Sequence, residues 1–92
     1  MIPQMTRGQR TRAVLLLRCA AEAAVTGDYV LGPGFETAPR LGIGRRECDL
    51  AERAAMRVAK KAGRQIDGAG SCDEYVATVL EAAIILEEDS WP

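Results

Sequence analysis

Histidine is absent from the 92-residue chain, and only four residues are aromatic: Tyr29, Phe35, Tyr75 and Trp91. Without an imidazole there is no ordinary general base near neutral pH and nothing to activate a serine, threonine or cysteine nucleophile. The sequence therefore argues against an enzyme. Three cysteines, Cys19, Cys48 and Cys72, are odd in number and share no C-x-x-C spacing. A zinc site would need all three scattered thiolates plus a carboxylate, so neither a metal nor a cofactor is expected. The thiols read instead as small hydrophobes in a reducing compartment. No apolar run approaches the ~20 residues that a bilayer-spanning helix requires. The longest in the first helical pattern, residues 13–17, stops at Arg18. The opening Met1-Ile2-Pro3-Gln4-Met5-Thr6 lacks the basic-then-apolar order of a signal peptide. The expectation is a cytoplasmic protein with no membrane partner.

Basic residues are missing from the last third. All twelve Lys and Arg lie between Arg7 and Arg64, so the formal net charge of −1 conceals a segregation. The first 64 residues carry +6 and the last 28 carry −7. Such asymmetry implies internal pairing or two faces with different partners.

A chain of this length makes one domain, residues 1–92, and buries only about 60–65% of the surface its unfolded form exposes. Alanine supplies much of the apolar content, and its burial contributes little, because the gain scales with area at roughly 25 cal/mol per Å². A thin core of this kind favours self-association, with a symmetric dimer as the first expectation.

Periodicity predicts an all-α fold: three main helices in a small bundle, with one short helical turn in the connection from Gly27 to Gly44. The first helix is expected over 7–26, with Thr6 as N-cap and Gly27-Asp28 as the stop. Ala13, Val14, Leu16, Leu17, Ala20, Ala21 and Ala24 form its apolar arc. Leu15 and Cys19 fall outside that arc. In the connection, Gly32-Pro33-Gly34 is turn chemistry. Thr37-Ala38-Pro39-Arg40-Leu41 fits a single turn of helix, Thr37 capping and Pro39 tolerated in the first turn.

The second helix is expected over 45–62, ended by Gly63. Leu50, Ala51, Ala54, Ala55, Val58 and Ala62 make its stripe, and Asp49, Arg53, Arg57 and Lys60 its opposite face. For the third, Ser71-Cys72-Asp73-Glu74 reads as a capping box. Tyr75, Val76, Val79, Leu80, Ala83, Ile84 and Leu86 form its arc, with Ile85 projecting away. Leu15, Cys19 and Ile85 are accordingly the expected oligomer interface. Glu87, Glu88 and Asp89 crowd the negative end of the helix dipole. They predict either a basic neighbour or, left free, a partner-binding surface.

Gly42-Ile43-Gly44 ahead of Arg45-Arg46 offers exposed amides and positive partial charge at a helix start, where phosphate binds readily. Gly44, Arg45, Arg46, Arg53, Arg57 and Lys60 are the candidate anion- or nucleic-acid-binding residues. The bland alternative is a helix–helix turn with a solvated arginine pair.

The same stretch resembles a helix-turn-helix. Ala38, Leu41, Gly42 and Ile43 stand where that motif places its small, apolar and turn residues, with Cys48 and Ala51 as later core positions. The resemblance implies that Arg45, Arg46, Glu47 and Asp49 begin a groove-facing recognition helix. Pro39 departs from the pattern by shortening the motif's first helix, and Glu47 and Asp49 bring negative charge to the phosphates. Two functions follow from these residues. One is non-catalytic binding to a macromolecular or anionic partner, as in a small phage-type inhibitor or regulator that works by occlusion. The other is a small helix-turn-helix regulator of DNA.

Overall fold

The computed structural model describes residues 6–25, 44–64 and 72–88, which form three helices: α1 (Arg7–Val25), α2 (Arg45–Ala62) and α3 (Cys72–Glu87). The expected single turn around Thr37, the Ser71 cap and Asp89 lie outside the described residues. Among the described residues there is no strand, and no helix is long and apolar enough to cross a membrane.

Two helix ends show a local cause. At the start of α1 the Thr6 hydroxyl accepts the Gln9 amide at 3.1 Å while the Gln9 carboxamide accepts the Thr6 amide at 3.0 Å. This reciprocal capping box satisfies two otherwise orphaned donors. α2 ends on Gly63, whose φ of 68° is left-handed. The Arg64 amide returns to the Ala59 carbonyl at 2.8 Å and the Gly63 amide to Lys60 at 3.3 Å. That double closure is the Schellman arrangement, and it requires a residue without a Cβ penalty at position 63.

The core lies between the three helices. Ala13, Val14, Leu16, Leu17, Ala20, Ala21 and Ala24 are buried on α1, matching the arc read from the sequence. On α2 the stripe holds at Leu50, Ala51, Ala54, Ala55 and Val58. It turns slightly at the end: Ala59 is buried, whereas Ala62, expected inside, is exposed. Among the described residues, ten of the nineteen buried apolar ones are alanines. The helices gain little area per residue, and the core is thin.

α3 departs from expectation. Tyr75, Thr78, Val79, Ala82, Ala83 and Leu86 face inward. Leu80 and Ile84, expected inside, are exposed, and Ile85, expected to project away, packs against the core with Val76. The rotation is made possible by Thr78, which is fully buried yet satisfied, its hydroxyl donating to the Glu74 carbonyl at 2.7 Å. A helical threonine that bonds back to the preceding turn carries no unpaired polar group into the core.

Candidate functional site: the outer face of α2

The start of α2 was the sequence's candidate anion site, and its geometry is specific. Gly44 is the N-cap, with extended backbone (φ −74°, ψ 167°) and no side chain to cap the helix. Glu47, three residues on, takes over that task. Its carboxylate folds back above Gly44, close enough that a Cβ at Gly44 would lie 2.6 Å from Oε2. Arg12 of α1 closes over it, Nε at 3.0 Å and the terminal nitrogen at 2.9 Å from the same Oε1. The Glu47 side chain is left only 7% exposed, while Arg12 keeps 49%.

The charge of Glu47 is favoured by this setting. The hydrogen bond from its own backbone amide is the largest influence and lowers its pKa below the ordinary value. Burial opposes that shift, and Arg12 and then Arg46 reinforce it. The helix N-terminus thus already holds an anion, one supplied by the chain. Glu47 was expected to face outward at the start of a recognition helix, and it does not. The reason is that a carboxylate at this position can serve the helix dipole and a cross-helix arginine at once.

Withdrawing Glu47 changes what α2 shows to solvent. Arg45, Arg46, Arg53, Arg57, Lys60 and Lys61 are all exposed along the outer surface, with Asp49 the exposed acid among them and Glu52 half-buried. Arg57 is engaged in a further interaction. Sequence reasoning placed these cations together but overcounted the acids between them. The signal that would have corrected it is the glutamate at the third helical position behind a glycine N-cap.

The acidic end of α3 is partly committed within the chain. Glu87, expected to be free, is ion-paired with Arg18 of α1. It also shares with Arg7, Arg10, Thr11 and Val14 a shallow depression of about 210 Å³. The basic neighbour demanded by the helix dipole therefore comes from α1, from residues 69 positions away in the case of Arg18. Glu81 pairs with Arg64 at 3.3 Å, joining α3 to the end of α2. Glu88 is exposed.

Among the described residues no three His, Cys, Asp or Glu side chains are grouped so as to hold a metal. Cys48 is buried, and burial pushes its thiol pKa up, with Asp49 and Glu47 adding to the effect. It therefore stays protonated and packs as a small hydrophobe. Cys19 is a half-buried free thiol. No family of known proteins, no curated protein and no solved structure matches this chain.

Proposed function

We propose that this chain is a non-catalytic binding protein that docks an anionic macromolecule against the outer face of α2 and acts by occluding it. The observation that carries this reading is the inward turn of Glu47. It leaves Arg45, Arg46, Arg53, Lys60 and Lys61 exposed on one helix with little opposing charge. A concentrated cationic surface of this kind attracts polyanions and speeds their encounter. The acidic end of α3 is the weaker docking surface, since Glu81 and Glu87 already hold arginines.

A second reading makes the polyanion duplex DNA and the chain a helix-turn-helix regulator. What favours it is the start of α2, where Arg45 and Arg46 are exposed while Cys48 and Ala51 are buried, the division a recognition helix requires. One titration series tests both. Fluorescence anisotropy with labelled duplex DNA and with an acidic polypeptide is measured from low to moderate salt. Binding that weakens steeply with salt supports phosphate contacts, and loss of it in Arg53→Glu/Lys60→Glu places it on α2. Preference for the acidic polypeptide selects a protein partner. Failure of either ligand to bind at low salt, or equal binding by the double variant, defeats the proposal.

A further inference from the structure

The outward faces of α2 and α3 carry matching patterns of opposite charge. No Lys or Arg occurs from Gln65 to Pro92, so α3 has no cation. Its exposed face runs Asp73, Leu80, Ile84, Glu88, an aliphatic centre between two acids. Glu81 and Glu87 are exposed as well but already hold Arg64 and Arg18, and Glu74 is engaged in a further interaction. The exposed face of α2 runs Arg46, Arg53, Met56, Lys60, with Asp49 its exposed acid.

The spacings agree as well as the signs. Asp73 and Glu88 stand fifteen positions apart and Arg46 and Lys60 fourteen, about 22 Å and about 21 Å at the helical rise. The order within those limits is shared too. Leu80 follows Asp73 by seven residues, as Arg53 follows Arg46; Ile84 precedes Glu88 by four, as Met56 precedes Lys60. Laid side by side and parallel, the stripes set Asp73 against Arg46 and Glu88 against Lys60. Ile84 then lies on Met56, and Leu80 on the aliphatic stem of Arg53. Asp49 falls beside Ala77, so no like charges are opposed. In one copy both stripes face solvent and cannot meet.

We propose that α3 of a second copy docks on α2, parallel and in that register. The inference rests on the reading of α2 as an anion-docking face and names the occupant that the chain itself supplies. The outer face of α1 fits neither stripe, because around Leu15 it exposes both Arg18 and Glu22. The contact is heterologous: each copy offers α2 to one neighbour and α3 to another, closing a ring or extending a chain. A polyanion and α3 therefore compete for one face.

The test is the mass of the whole chain by sedimentation and light scattering, up to about 100 µM, at low and at moderate salt. The expected result is association that grows with concentration and weakens as salt screens the pairs. Lys60→Glu, Glu88→Lys and Ile84→Glu should each raise the dissociation constant about tenfold or more. Leu15→Glu, at an exposed apolar position on α1, should leave it unchanged. Mixing guards against variants that merely misfold. The Lys60→Glu and Glu88→Lys chains, each poorly associating alone, should associate when mixed, because every contact between unlike chains pairs opposite charges. A wild type that stays monomeric, a mixture that does not associate, or association lost through Leu15→Glu overturns the inference. Glu88→Lys leaves α2 intact and should still bind labelled duplex DNA or acidic polypeptide as the wild type does. Polyanion binding by a wild type that never associates overturns this inference and leaves the reading of α2 standing. Association without binding of either polyanion supports it and limits α2 to the chain's own acids.

Discussion

Arg12 holds Glu47 with two nitrogens on a single carboxylate oxygen, across 35 positions of sequence, and so fastens α1 to the first turn of α2. The pair is asymmetric, since the acid is covered and the base half-exposed. Removing the acid leaves a hydrated arginine, which is tolerable. Removing the base leaves a covered carboxylate with only the helix amide to hold it.

From that asymmetry follows a pH dependence. The folded-state pKa of Glu47 lies below its ordinary value of 4.5. Its contribution is therefore fully present above the unfolded value and is lost as the pH falls through the depressed folded value. Thermal melting between about pH 5 and pH 3 should show the wild type losing stability more steeply than Glu47→Gln. At neutral pH the variant should be less stable by about 1.5–3 kcal/mol, the range of a hydrogen bond to a charged group. Equal slopes would show that the carboxylate is not stabilised in the fold.

Gly44→Ala tests the same site from the other side. The backbone there has a φ any residue adopts, so the substitution strains nothing by itself. The new methyl would instead meet Glu47 Oε2, 2.6 Å from the ideal Cβ position. The carboxylate must swing away, giving up its amide and its grip on Arg12. We expect a loss of about 1 kcal/mol together with a weaker acid-side slope. A plain loss of glycine flexibility would do the opposite, since Gly→Ala at a compatible position usually stabilises. The sign of the change in melting temperature decides.

The parts of this fold legible in the sequence are those where one period dominates. The stripe of α2 alternates with charged residues, so its wheel has one apolar side; α1 is apolar over more of its circumference, but Arg12, Arg18 and Glu22 mark its outer side. In α3 the run from Tyr75 to Leu86 is apolar nearly all round, apart from Thr78 and Glu81. Periodicity alone then cannot fix its rotation, and the arc expected there left out Thr78, which the structure buries. Satisfaction of that hydroxyl by Glu74 is a local property that the pattern does not weigh. The inward Glu47 was missed for a similar reason: charge suggested solvent, while its place three residues beyond Gly44 suggested a cap. The pairing of Glu81 with Arg64 lay within reach of the charge pattern. That of Glu87 with Arg18 required knowing which helices are neighbours.

The corrected rotation of α3 makes a sharp contrast between adjacent residues. Ile85 packs against the core and Ile84 is half-exposed. Ile85→Ala removes packed methyl groups from a partly buried site, and should destabilise by about 1–2 kcal/mol, below the range for a fully buried isoleucine. Ile84→Ala changes a half-exposed surface position and should stay within about 0.5 kcal/mol of wild type. Denaturant melts of the two variants side by side give the comparison. If instead Ile84→Ala is the more damaging change, α3 is rotated the other way. The core would then contain the face with Leu80 and Ile84, as the sequence pattern alone implied.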